Sequence, residues 1–182
     1  MNTNGWALDQ AHSSIGFSVR HMVVAKVRGR FASWTGTLEL DPADLTGSKV
    51  EVDIDAKSID TGNAQRDAHL ASADFLDAAQ FPTLHFSSKR IEGVRGDRFD
   101  VVGDLTIHGV TREATLAVEA GGAAKDPWGN QRMGFAASLS ILRSDFGLTW
   151  NQALEAGGVL VGDRVDIDLD VQAVQSAARK TA

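Results

Sequence analysis

Apolar and polar residues alternate along most of the chain, which is the pattern of β-strands with one buried face and one exposed face. The clearest run is KVEVDIDA at residues 49–56, where Val50, Val52 and Ile54 alternate with charged residues. The same alternation recurs in four other runs, at residues 14–20, 99–107, 133–141 and 165–172.

Segments rich in Gly, Pro and Asp separate these runs and are typical of turns; an example is GGAAKDPWGN at residues 121–130. Most connections are short, so the sequence predicts an all-β fold of about seven to nine antiparallel strands. Alternation fits a barrel and a sandwich equally well, because both folds bury one face of each strand.

The alternation stops between residues 58 and 82, where Ala, Asp, Gln and Leu replace the β-branched residues. This composition favours a helix, and Thr61 or Asn63 can cap a helix that runs through Leu70. Pro82 cannot continue a helix and leads into the strand-like run TLHFSS. The sequence therefore predicts one short helical insert between two strands.

Length and composition predict a single domain. The 182 residues contain no cysteine, and the net charge of −6 argues against general affinity for nucleic acid or anionic membranes. The first residues, MNTNGWALDQ, do not resemble a signal peptide, and no apolar run approaches the roughly 20 residues that span a bilayer. We therefore expect a cytoplasmic protein without integral membrane association, with one domain at residues 1–174 and a flexible tail at 175–182.

The helical insert also contains the best candidate for catalysis, an acid–base pair of His69 with Asp74 or Asp77. The spacings of five and eight residues do not place these side chains on one helical face, although a turn between them could bring them together. Capping and salt bridges explain the same residues without catalysis. The other histidines show no metal-ligand spacing, so the sequence predicts neither a metal nor a cofactor.

The segment HMVVAKV at residues 21–27 breaks the alternation and would place Met22, Val23 and Val24 near the mouth of a barrel. Apolar side chains at such a mouth form an adaptable entrance for a ligand. A barrel of about eight strands is either filled by side chains or wide enough to hold one small ligand. Plain core packing explains the same apolar residues.

Five blocks of the sequence resemble the YceI-like family. They are DQAHSSIGFSVRHMVVAKVRGRF, RDAHLASADFLDAAQFPTLHF, GDLTIHGVT, ILRSDFGLTW and VGDRVDI, in that order between about Trp6 and Val174. The resemblance implies a lipocalin-like antiparallel β-barrel of about eight strands, closed at one end by the helical insert. Described members of the family bind polyisoprenoids, and the resemblance brings no catalytic residues with it.

These expectations together predict a protein that is not an enzyme and that holds a long isoprenoid-type lipid, such as a polyprenyl or quinone tail, inside the barrel. Alternation suggests the wall residues, which are Phe17, Val19, Met22, Phe31, Trp34, Phe75, Leu84, Phe86, Leu105, Phe135, Leu139 and Phe146. Arg20, His21 and Arg143 are candidates for orienting a polar head group. The alternatives are a barrel enzyme that uses His69 and a filled barrel that only binds other proteins, and a homodimer is compatible with each.

Overall fold

The computed structural model describes residues 5–22, 24–155 and 157–175, in which the chain forms eleven strands and one α-helix. The helix α1 is Ala64–Ala71. The strands are β1 (Trp6–Leu8), β2 (Ser14–His21), β3 (Ala25–Phe31), β4 (Trp34–Glu39), β5 (Lys49–Asp55), β6 (Ile59–Asp60), β7 (Thr83–Arg95), β8 (Arg98–Ile107), β9 (Val110–Lys125), β10 (Gln131–Leu142) and β11 (Val161–Gln175).

All of the strand pairs are antiparallel, as the short connections predicted. Strands β7 to β11 form a meander in which each strand pairs with the next one. Strand β11 then pairs with β2, and β2 pairs with β3, so the C-terminal strand lies beside the N-terminal strands. The short strand β1 pairs with the end of β11.

The sheet closes into a barrel because two long strands bend from one side to the other. Strand β3 continues through Ala32 and Ser33 into β4, and β5 continues through a 3-10 turn at Ala56–Ser58 into β6. Backbone hydrogen bonds join the two bends, from Asp55 N to Ser33 O and from Ala32 N to Ser58 O, each of 3.0 Å. The pairing of β4 with β5 therefore runs on into the pairing of β3 with β6.

The strand number corrects the sequence-based prediction, because the structure has eleven strands rather than about eight. Each bent strand counts as two strands, and alternation along the sequence does not reveal such a bend. Counted as continuous segments, and without the short β1, the wall of the barrel has eight strands. The lipocalin-like barrel itself is confirmed.

Inward-facing residues are apolar, and register aligns them across neighbouring strands. Between β2 and β11, for example, Phe17 lies opposite Ile167 and Val19 lies opposite Val165. The main core cluster continues this interior around the barrel through β7, β8 and β9. The alternation in the sequence therefore corresponds to the inner and outer faces of the barrel wall.

The insert between β6 and β7 begins as predicted, because Asn63 caps α1 by accepting a hydrogen bond from Arg66 N at 3.0 Å. Thr61 has a different role: its backbone N donates to the Asp67 carboxylate at 2.9 Å, which fixes the entry to the helix. After α1 the chain makes turns, and β7 begins directly after Pro82. Within the described residues, no helix is both long enough and apolar enough to cross a bilayer.

The predicted C-terminal tail lies almost entirely outside the described residues. Its first residue, Gln175, is the last residue of β11 and pairs with Gln131 and Trp6. Residues 176–182 are not described.

Candidate functional site

The inward faces of the strands enclose a cavity of about 310 Å³. Each of the eleven strands contributes at least one side chain to its wall, and the atoms that form the cavity surface are apolar. An apolar cavity of about 150 Å³ is already large enough to bind benzene in another protein. The barrel is therefore hollow, with room for a larger hydrocarbon group.

Most of the predicted wall residues do line this cavity. Ten of the twelve contribute to its wall, namely Phe17, Val19, Phe31, Trp34, Phe75, Leu84, Phe86, Leu105, Phe135 and Leu139. They come from β2, β3, β4, β7, β8 and β10 and from the insert after α1. The side-chain period of two in a strand explains this agreement, because one correctly assigned residue fixes the face of its neighbours at i±2.

Two of the twelve predicted wall residues lie elsewhere. Met22 is in the turn between β2 and β3, where its φ of 52° and exposed fraction of 46% show that the strand has ended. Phe146 is only 2% exposed, but it lies in a 3-10 turn at Arg143–Phe146 and packs into the core cluster rather than on the cavity. Neither residue lies in a strand, so the period of two does not determine which way its side chain faces.

The sequence-based selection also missed many wall residues, and two groups of them are informative. The first is the inward face of β11, whose alternation was recognised but not assigned to the wall: Val161, Val165, Ile167, Leu169 and Val171. The second group includes Leu40 and Leu45, which lie in the loop between β4 and β5. A loop has no side-chain periodicity, so no sequence pattern marks these two leucines.

The helical insert covers one end of the cavity, as expected for the closing element of the barrel. Leu70, Phe75 and Leu76 line the cavity from this side. The ring of Phe75 lies 5.2 Å from the ring of Trp150, which belongs to the segment that follows the 3-10 turn at 143–146. Aromatic contacts therefore join the insert to the opposite side of the barrel end.

His69 and Asp74 do meet, since His69 Nε2 lies 2.9 Å from Asp74 Oδ2. The His69 ring also packs edge-on against Phe75, at 5.1 Å, and against Trp150, at 4.7 Å. Neither His69 nor Asp74 belongs to the cavity wall. The pair thus holds the insert together and against Trp150.

Asp77, the other acid that was considered as a partner of His69, is buried in a turn with a φ of 45°. Its backbone N and O belong to the turns that follow α1. Among the described residues, only Asp74 lies within ion-pair distance of the His69 ring. No group of three His, Asp or Glu side chains in these residues has the arrangement of a metal site.

Arg143 is buried, with an exposed fraction of 6%, but its guanidinium is fully engaged with the backbone. Nη1 donates to Leu148 O at 2.5 Å and to Trp150 O at 2.9 Å, and Nε and Nη2 donate to Gly162 O and Val161 O. Burial lowers the pKa of the guanidinium. Arg143 borders the cavity, but its N–H groups bind backbone oxygens of the loop between β10 and β11, so the side chain stabilises this loop.

The model of the YceI-like domain family matches residues 6–173 of this sequence. The chain belongs to the YceI-like family. A UPF0312 protein of Vibrio cholerae serotype O1 is 39% identical to it over 165 residues, which cover 91% of this chain and 83% of the relative. The predicted resemblance is therefore confirmed over almost the whole barrel.

Solved structures agree with the fold of this YceI-like protein. BcnA of Burkholderia cenocepacia is similar with a TM-score of 0.78 and 25% identity, over 91% of this chain and 98% of BcnA. A polyisoprenoid-binding domain from Saccharophagus degradans is similar with a TM-score of 0.65 over 94% of this chain and 99% of that domain. At 16% identity, the second likeness supports the fold alone.

Proposed function

We propose that this YceI-like protein binds a long isoprenoid-type lipid, such as a polyprenyl or quinone tail, in the barrel interior and sequesters or carries it. The observation that carries the proposal is the cavity, which is lined by side chains from all eleven strands and has an apolar surface. Membership of the YceI-like family supports a lipid ligand, and a relative in fold is described as polyisoprenoid-binding.

Burial of the hydrocarbon supplies the affinity in this proposal. Each CH₂ group that leaves water contributes roughly 0.8 kcal/mol, so one isoprenoid unit of five carbons contributes several kcal/mol. The cavity surface offers no polar atom to a head group. We therefore expect the tail to be recognised by length and shape, and the head group to remain outside the apolar part of the site.

The ten predicted residues that line the cavity are the proposed contacts of the tail. Five of them are phenylalanines, which provide large and rigid apolar surfaces. Phe17 and Phe31 pack with ring centroids 5.7 Å apart and belong to neighbouring strands of the wall. The inward face of β11 extends the same surface on the other side of β2.

Native mass spectrometry of the purified protein, followed by organic extraction, tests the proposal. We expect the protein to carry an additional mass of several hundred daltons, and we expect the extract to contain an isoprenoid or quinone. Protein that is free of lipid and does not take up a polyprenol or quinone added in vitro would contradict the proposal.

A pair of matched substitutions on β10 tests whether the ligand lies inside the barrel. Ala137 lines the cavity, whereas its neighbour Ala136 is exposed on the outer face. We expect Ala137→Trp to fill part of the cavity and to reduce lipid binding at least about tenfold, because the volume of an interior is tightly constrained. Ala136→Trp introduces the same side chain outside and should bind lipid normally. Equal binding by both variants would place the ligand elsewhere.

A further inference from the structure

The hairpin of β2 and β3 carries a charge opposite to that of the whole protein. Its residues 20–30, RHMVVAKVRGR, contain four bases and no acid, although the chain has a net charge of −6. Arg20 lies directly opposite Lys26 in the hairpin, and Arg28 and Arg30 follow Lys26 at alternate positions. All four side chains therefore lie on the outer face of the barrel, where they are exposed.

Only part of this basic surface is neutralised by neighbouring acids. Arg30 forms an ion pair with Asp60 at 3.1 Å, and Lys26 Nζ lies 3.5 Å from Asp166. Arg20 and Arg28 form no ion pair in the part of the chain that the structure describes. Two arginines on one face of the hairpin are thus available to an external anion.

The tip of the same hairpin is apolar and exposed. Val24 is 87% exposed and Met22 is 46% exposed. A third exposed apolar residue, Val159, lies close to the tip. The residue that follows it, Leu160, accepts a hydrogen bond from Met22 N at 2.9 Å through its backbone oxygen. Exposed apolar side chains beside free arginines match the interface of an anionic bilayer, which accepts apolar groups at the depth of the lipid head groups and attracts bases.

We propose that the tip of the β2–β3 hairpin docks this protein onto the surface of anionic membranes. The net charge opposes membrane binding at most of the surface, so the basic hairpin also determines the orientation of the docked barrel. Val19 and Val161 line the cavity close to this tip, and Val161 pairs with His21 at the end of β2. The insert contacts Trp150, and Arg143 binds the backbone oxygens of both Trp150 and Val161. Docking would therefore bring the end of the cavity that the insert covers to the lipid surface.

Sedimentation with vesicles tests the docking surface, using phosphatidylcholine alone or with about 30% phosphatidylglycerol. We expect binding only to the anionic vesicles, with strong weakening at about 0.5 M NaCl. Since a base near an anionic surface favours binding by about fivefold, the double variant Arg20→Gln/Arg28→Gln should bind about 25-fold more weakly. Val24→Asp should also abolish binding, because it places an acid at the tip.

Matched variants at the opposite end of the barrel provide the controls. Trp128, which is 79% exposed in the turn between β9 and β10, is an apolar counterpart of Val24, and Arg95 and Lys125 are exposed bases near that end. We expect Trp128→Ser and Arg95→Gln/Lys125→Gln to bind anionic vesicles like the unmodified protein.

Several results would overturn the docking proposal. These are equal binding to neutral and anionic vesicles, no binding to either, and loss of binding in the Trp128→Ser variant but not in Val24→Asp. Conversion of a dimer into a monomer by Val24→Asp, without any vesicle binding, would assign the tip to contact between two copies. The vesicles contain no isoprenoid, so the outcome does not depend on what the cavity holds.

Discussion

Gly103 in β8 lies where the neighbouring strand approaches too closely for any side chain. A Cβ atom at this position would lie 2.6 Å from Phe86 Cζ and closer still to Ser87 O. Phe86 is a wall residue of the cavity, so the position of its ring depends on the missing side chain of residue 103. A single glycine thus shapes the wall of the site.

We expect Gly103→Ala to lower the free energy of unfolding by about 1–3 kcal/mol, the usual cost of an overpacked interior. Urea unfolding measures this change. Gly134→Ala in β10 is the control, because a Cβ atom there meets no other atom within 4 Å. A loss of stability in the control as large as in Gly103→Ala would mean that the close approach of Ser87 O and Phe86 is not the cause.

Asp126 organises the turn between β9 and β10 and should make the stability of the protein depend on pH. Burial favours the neutral form of Asp126, but hydrogen bonds from Asn130, Arg132 and Trp128 outweigh this effect and lower its pKa to about 2. The pKa of an unfolded Asp is about 3.9, so the stabilisation is present above that pH and is lost as the pH falls towards 2.

Replacement of Asp126 should therefore lower the stability of the folded protein at neutral pH and have a smaller effect on it in acid. We expect Asp126→Asn to lower the urea midpoint at pH 7, and we expect its difference from the unmodified protein to shrink between about pH 4 and pH 2. Asp97→Asn, in the exposed turn between β7 and β8, is the control and should leave the midpoint nearly unchanged. A difference that stays constant down to pH 2 would argue against the lowered pKa.

The strands and the helical insert were predictable where local sequence determines structure. Alternation marked β2, β5, β8, β10 and β11, and capping by Asn63 and the break at Pro82 marked the insert. The end of β9 was not predictable, since GGAAKDPWGN indicates a turn from residue 121, whereas β9 continues to Lys125. Lys125 lies opposite Gln131 of β10, so pairing with a partner strand, rather than local propensity, extends β9.

The contact between the insert and Trp150 is a second feature that only the structure reveals. Trp150 contacts both His69 and Phe75, although more than 70 residues separate it from them in the sequence. No local pattern indicates such a contact. The contact ties the insert to the segment around Trp150.

Hydrogen exchange can measure how far Trp150 holds the insert in place. Aromatic contacts contribute about 0.5–1.5 kcal/mol beyond simple burial. We therefore expect Trp150→Ala to accelerate amide exchange about tenfold in residues 69–78, with little change in β8 and β9. Trp128→Ala removes an equally large ring from an exposed turn and should leave the insert unaffected. An unchanged insert in Trp150→Ala would show that other contacts close this end of the barrel.

For the molecule as a whole, the hollow interior makes the stability of the fold depend on whether a ligand fills the cavity. Side chains around an empty cavity lack packing partners on one side, and a bound tail would supply them. A ligand at about 100 times its Kd stabilises the folded state by about 2.7 kcal/mol. In a protein of this size, each kcal/mol shifts Tm by about 2–4 °C.

We accordingly expect removal of a co-purified lipid to lower Tm by about 5–10 °C, and we expect addition of the extracted lipid to restore it. Calorimetry before and after delipidation measures the shift. The shift in Tm should be smaller in the Ala137→Trp variant, because its cavity is partly filled and it binds lipid more weakly. If lipid does not change the Tm of the unmodified protein, the cavity is not the site at which the lipid binds.

The position of β11 has a consequence for the time at which the protein can fold. Strand β11 pairs with β10, β2 and β1, so it connects the last part of the chain to the first. Ribosomes synthesise the N-terminal strands first, at about 5–20 residues per second, and β2 then lacks one of its partners until β11 emerges. The barrel therefore closes only after β11 has been made, and no enclosed interior exists on the growing chain before that moment.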